Sequence, residues 1–218
     1  MRWLAVVVAA TIAMGLGGCS PLTTDQPIFG PADVGDAPRL REGLWVASGE
    51  DCRIPSQRPL AGWPRCAKSD TLLVRRGEAL SLHEEDARVG RYYWASWPYV
   101  VVDGVPLIVQ TRLPENPFDD PAQPLKSKGD HMYFALEVEG RDPEGGVTAL
   151  LLYLVTCGPE GEHDAPWPGV RQDPQGGCIV DGPAAVREAA RRSRAQQDGM
   201  HFRWIREART DDFAKVRR

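Results

Sequence analysis

The 218-residue chain predicts a mainly β fold: an antiparallel β-barrel or β-sandwich with one C-terminal helix and a final short strand. Three observations carry that prediction. Short segments rich in β-branched and aromatic residues recur between residues 39 and 208, several of them joined by turns too short for parallel crossovers. One of them, Met132–Glu139, alternates cleanly between apolar and mixed faces. A single stretch, 183–197, combines a helical composition with start and stop signals. With 42% hydrophobic and 26% charged residues the chain can close a packed core. Its net charge of −4 argues against non-specific nucleic-acid binding, and no nucleic-acid partner is expected.

In chain order, Met1-Arg2 precedes an apolar run from Trp3 to Met14 and then Leu16-Gly17-Gly18-Cys19. A basic start, a short apolar core and a small-residue exit make residues 1–18 a signal peptide. A membrane span needs ~20 apolar residues, and this run meets its glycines too soon. The exit resembles the lipobox of bacterial lipoproteins, in which a cysteine follows a leucine and two small residues. The resemblance implies that Cys19 becomes the lipidated first residue of the mature chain, with membrane lipid as its partner. Two or more acyl chains give stable anchoring where one does not. Ser20 stands where an inner-membrane retention aspartate would follow the cysteine, so the resemblance points to the outer membrane, facing the periplasm. Residues 19–38 hold four prolines and no period of 2 or 3.6, and read as an extended tether to a single domain over 39–208.

Within that domain Gly43–Ala47, Thr71–Arg75 and Ala79–Leu82 read as short strands. Tyr92–Asp103 reads as a long one that bends or splits at Pro98. Val105–Thr111 follows the Asp103-Gly104 turn. In Met132–Glu139, Met132, Phe134, Leu136 and Val138 share one face, and Val147–Thr156 is apolar on both. Asp181-Gly182-Pro183 starts the helix and Gly199 stops it. Its thin stripe of Val186, Ala189, Ala190 and Ser193 suits close docking on a sheet. Met200–Arg206 alternates as a last strand, and 209–218 reads as a charged tail. Pro-, Gly- and acid-rich loops at 112–131 and 158–177 are expected to cover one end.

Four cysteines besides Cys19, namely Cys52, Cys66, Cys157 and Cys178, are an even number in a chain with an export signal, which favours disulfides. Three pairings are open. The local one, Cys52 with Cys66 and Cys157 with Cys178, is favoured because each pair brackets a Pro/Gly-rich loop after a strand. The spacings contain neither a redox CxxC nor zinc knuckles.

No nucleophile elbow, zinc-protease helix, phosphate loop or EF-hand loop occurs, so no catalytic residue, metal or cofactor is assigned. His83-Glu84-Glu85-Asp86, His163-Asp164 and the acidic run Glu115–Asp120 read as solvated loops. Aromatic residues are the stronger lead: Trp45, Trp94 and Trp97 are candidates for a ligand cavity or a partner surface, against plain core packing. Gly43-Leu44-Trp45 at the first strand, with a helix and short strand at the end, resembles the lipocalins. That resemblance implies a barrel carrying a small apolar ligand; the family's later Thr-Asp-Tyr motif has no counterpart here.

Charge is divided along the chain, with net −10 over residues 19–183 and +5 over 184–218. Arg187, Arg191 and Arg194 fall on one helical stripe and are candidates for contact with anionic headgroups, a cell-wall polymer or an acidic envelope protein. The sequence therefore suggests a non-enzymatic, lipid-anchored envelope protein that docks or maintains. A lipocalin-like carrier is the second reading and an envelope hydrolase the third. A hollow interior lined by Trp and Tyr would mark the carrier, and a filled core with an exposed patch the docking module.

Overall fold

The computed structural model describes residues 21–47, 52–75, 77–86, 91–113, 130–159, 165–173, 178–213 and 216–217. Cys19 with the lipobox, the Glu115–Asp120 run and His163-Asp164 lie outside the described residues. In chain order the elements are β1 (Thr23–Thr24), β2 (Gly43–Ala47), α1 (Arg65–Ser69), β3 (Thr71–Arg75), β4 (Glu78–Asp86) and β5 (Arg91–Val102). Then come β6 (Leu107–Arg112), β7 (His131–Arg141), β8 (Val147–Leu154), β9 (Val170–Gln172), β10 (Cys178–Val180), α2 (Pro183–Arg194), β11 (Met200–Arg206) and β12 (Val216–Arg217).

Strands β2 to β8 pair consecutively and antiparallel, and β11 joins β8 back to β2, closing an eight-stranded barrel. Closure removes the sheet edges that a sandwich would leave open. The alternation read from Met132–Glu139 sets the two faces of β7. Leu136, with Phe134 and Val138 packed on it, belongs to the interior cluster with Trp45, Val74, Val109, Leu150 and Phe202. Tyr133 and Ala135 point outward and are fully buried all the same.

The outward burial has two sources. Helix α2 lays Val186, Ala189 and Ala190 on one side of the barrel, in the cluster that also holds Tyr133, Leu151 and Tyr153. The small stripe gives the close approach predicted for it, and Ser193 Oγ, inside the contact, accepts a hydrogen bond from the Thr156 N–H (2.9 Å). On the other side the segment around α1 covers the outer residues of β2 to β4, so that Leu44, Val46, Leu73, Leu80 and Leu82 pack with Leu60, Trp63 and Ala67. Each wrap is fastened by a local cysteine pair: Cys52–Cys66 and Cys157–Cys178 stand 6.0 and 5.9 Å apart between Cα atoms, at disulfide distance.

Five expectations are corrected. The stretch read as a tether is packed against the barrel from Pro21 onward: Thr23 and Thr24 pair with Met132 and His131, and Leu22 and Phe29 are 0% and 3% exposed. An irregular segment that follows a curved surface has no period, so nothing in its pattern betrays its burial. The tail read as free charge also folds back. Asp212 is buried in a short 3-10 turn, Thr210–Phe213, and β12 runs parallel to β5. Of the bend or split expected at Pro98, the split does not occur: β5 runs unbroken through it, and Pro98 is the last residue paired with β4 and Tyr99 the first paired with β6. A missing N–H is tolerated where the ladder changes partners. Finally, His83–Asp86 belongs to β4 rather than to a loop, and the helix ends at Arg194 rather than 197.

Candidate functional site

The inward residues of the barrel do not fill it. A hollow of about 250 Å³ remains, lined by Trp45, Leu72, Val74, Trp97, Tyr99, Val109, Phe134, Leu136, Leu150 and Phe202 among others. Strand alternation explains the selection: Trp97, Tyr99 and Val101 of β5 face inward, while Trp94, Val100 and Val102 face the outer wraps. Trp45 and Trp97, two of the three candidate tryptophans, therefore line one cavity. Trp94 does not; it packs outside with Leu82 and Trp63, one register position away from pointing in.

The lower end, where β2, β6 and β8 begin, is closed by the strap of residues 34–41. Its backbone brackets Val147, with Arg41 N–H donating to the Val147 carbonyl (3.0 Å) and Val147 N–H donating to the Arg39 carbonyl (2.9 Å), and Leu40 lines the cavity floor. Trp45 is held upright there by its Nε1–H, which donates to the Arg41 carbonyl at 2.9 Å. A larger hollow of about 690 Å³ lies outside, between the strap and β5, and shares Leu40, Val74 and Tyr99 with the lumen as a partition. Glu42 and Asp36 line that outer space. At the upper end, Met200 is half exposed beside the lumen.

Among the described residues lining the lumen there is no Lys, Arg, His, Asp or Glu. The one titratable group is the Tyr99 phenol, pushed up to about 12 by burial and by the nearby Glu42 carboxylate, and hence neutral. Three hydroxyl side chains belong to the lining, Ser81 on β4, Tyr99 on β5 and Thr111 on β6, and the surface that the cavity meets is apolar. Ser81 lines the cavity, receives a hydrogen bond from Trp97 Nε1–H (2.6 Å), and shares a second with His83 Nε2 (2.7 Å). The His83 ring stacks on Tyr93, with centroids 5.3 Å apart, and burial pushes its imidazole below the ordinary value. Neither Ser81 nor His83 was singled out as a site residue in the sequence. Their signal was period 2, which places Ala79, Ser81 and His83 on one face and sends Glu84 to the other.

The arginine stripe is not part of this site. It lies on α2, outside the barrel, and two of its three charges have carboxylate partners. Arg191 bonds Glu188 (2.5 Å), as does the neighbouring Arg192 (2.7 Å), and Arg194 reaches Glu137 on β7 (3.0 Å). Arg187 lies over the Phe29 ring, 5.3 Å from its centroid, and clamps the N-terminal segment. Large exposed apolar side chains, Val105, Ile179 and Met200, are scattered over separate elements. Among the described residues no cluster of three or more His, Cys, Asp or Glu side chains could hold a metal, and no helix is long and apolar enough to cross a membrane.

Comparison with known proteins adds no likeness: no family model, no curated protein and no solved structure matches this chain.

Proposed function

We propose that the protein binds a small, uncharged, largely apolar molecule inside its barrel, and does so at the cell envelope, held there by a lipid on Cys19. The observation that carries the binding half is the hollow interior with its uncharged aromatic and aliphatic lining. Its ~250 Å³ exceeds the ~150 Å³ apolar cavity that takes a benzene and falls below the ~300–1,000 Å³ of pockets for drug-sized ligands. An occupant of about ten carbons, one or two rings or a short acyl chain, matches it. An apolar occupant would gain dispersion contacts with this lining and would remove apolar surface from water. The docking alternative has less support, because Arg191 and Arg194 already have carboxylate partners, Arg187 lies over the Phe29 ring, and no broad apolar patch stands free of the wraps among the described residues.

The anchoring half rests on the lipobox resemblance of Leu16-Gly17-Gly18-Cys19. Because Pro21 is already bridged to Thr156, Ser20 alone separates Cys19 from the folded body, and an acylated chain would hold the barrel at the lipid surface rather than on a long leash. Cys19→Ser is expected to leave the protein unprocessed or soluble and without acyl label; a variant still processed and membrane-retained contradicts the anchor. For the lumen, methyl NMR of the purified protein during titration with naphthalene is the test. Shifts concentrated on Val74, Val109, Leu136 and Leu150 are expected, and shifts confined to outer residues such as Leu44 or Leu151 contradict the reading.

A further inference from the structure

The inward side chains of the barrel lose their cover toward one end. On β3, β7, β8 and β11 the lumen residues Val74, Leu136, Leu150 and Phe202 are buried. The next inward residues up the same strands are not: Leu72, Phe134 and Leu152 are half-buried and Met200 is exposed. Below, the strap closes the barrel and Leu40 forms the floor. Among the described residues, then, these four strands bring the lumen to solvent at the upper end, through an apolar mouth.

The chain enters the folded body at that same end. Pro21 is bridged to Thr156, just past the top of β8, and Leu22 N–H donates to the Val155 carbonyl (2.8 Å). Thr23 then pairs with Met132 at the top of β7, two residues from Phe134 in the mouth. Two residues of fully extended chain span at most ~7 Å, so an acyl group on Cys19 would leave the body beside the mouth. We infer that the open end of the barrel faces the bilayer that holds the Cys19 lipid, and that the lumen exchanges its occupant directly with that bilayer. The inference deepens the lumen and anchor readings and rests on both.

Two physical effects favour this orientation. A short tether makes the meeting of mouth and bilayer intramolecular, at an effective concentration on the order of millimolar, so a small contact suffices. An apolar ligand passing between lumen and hydrocarbon through a membrane-facing mouth never exposes its surface to water. The ligand class is accordingly an uncharged molecule dissolved in the membrane rather than one captured from the aqueous phase. The lower end suits water instead. It is closed by the strap, and Asp36, Arg39 and Glu42 line its outer hollow. Val105, 87% exposed in the turn between β5 and β6, is the one large apolar side chain displayed there among the described residues; it follows Asp103 closely and lies at the opposite end from Pro21.

The test uses the acylated protein purified from membranes, labelled on its Met, Leu and Val methyl groups and placed in phosphatidylcholine nanodiscs with and without a lipid that carries a nitroxide on its headgroup. Leu152 stands five residues, about 17 Å of strand, above the lower end of β8, and paramagnetic broadening falls with the sixth power of distance. Broadening of the Met200, Leu72 and Leu152 methyls is expected to exceed that of Leu40 and Val105 at least roughly fivefold. A smaller ratio, the reverse order, or no broadening at either end overturns the inference. Two further readings on the same sample show where a failure lies. A mature chain without acyl groups removes the anchor, and naphthalene that leaves the Val109 and Leu136 methyls unshifted removes the lumen. With both of those intact, a wrong broadening pattern counts against the membrane-facing mouth alone.

Discussion

Gly43 opens the first barrel strand at φ +132°, and a Cβ there would run into the Arg206 carbonyl and the Trp204 indole nitrogen. The reason is local. Strand β2 meets β11 through a bulge between Trp204 and Arg206, Trp204 Nε1–H donates to the Glu42 carbonyl (2.9 Å), and the Arg41 guanidinium lies 3.9 Å over the Trp204 ring. Gly43→Ala is expected to cost about 2 kcal/mol or more in urea unfolding, since it combines strain with a clash. Asp212 shows a second residue-scale device. Burial alone would raise its carboxyl, but the Arg206 guanidinium at 2.6 Å and the N–H groups of Arg209 and Leu60 overcome this and hold it below the ordinary carboxylate value. Because the folded value is the lower one, this stabilisation is complete above the unfolded carboxyl's ~3.9 and is lost as pH falls through the folded value. Asp212→Asn is therefore expected to lower the unfolding midpoint at neutral pH and to flatten its decline in acid; equal acid slopes contradict the assignment. The strand Gly43–Ala47 that carries Gly43 and Trp45 was legible in the sequence. Arg206–Asp212 was not, because a buried ion pair between residues six apart looks like any other charged tail until Leu60 arrives from 152 residues away.

At the scale of elements, what the sequence revealed depended on period. Strands β7 and β11 announced themselves by alternation, β2 and β3 as short apolar runs, and helix α2 by its composition between Pro183 and Gly199; the outward burial of Tyr133 and Ala135 did not, since an apolar outer face is equally consistent with a second sheet, a helix or a strap. The strap is the largest departure. Residues 21–41 run along the barrel wall and under its lower end, with Phe29 N–H donating to Gln110 Oε1 and Gln110 Nε2–H donating back to the Phe29 carbonyl (2.9 and 3.0 Å). A tether would be indifferent to losing Phe29. The packed strap predicts that Phe29→Ala destabilises the fold by about 3 kcal/mol, measurable by thermal or urea unfolding. An unchanged midpoint would return the segment to a free linker.

For the whole molecule, the sequence left barrel and sandwich equally open because both obey the same strand pattern; pairing of β11 with both β8 and β2 is a long-range fact with no local signature. The same closure turns three scattered tryptophans into two lumen residues and one outer residue, a sorting that a single register step would reverse. A wrapped barrel whose outside is occupied by α2, the strap and the α1 segment has its interior left for a ligand. The most direct measurement is calorimetric titration of naphthalene into the protein and into Val109→Trp, which fills the lumen from β6. One-to-one binding with a negative heat-capacity change, abolished by Val109→Trp in a protein that still folds, is the predicted result. No binding to the unsubstituted protein, or binding that survives the filled lumen unchanged, would contradict it.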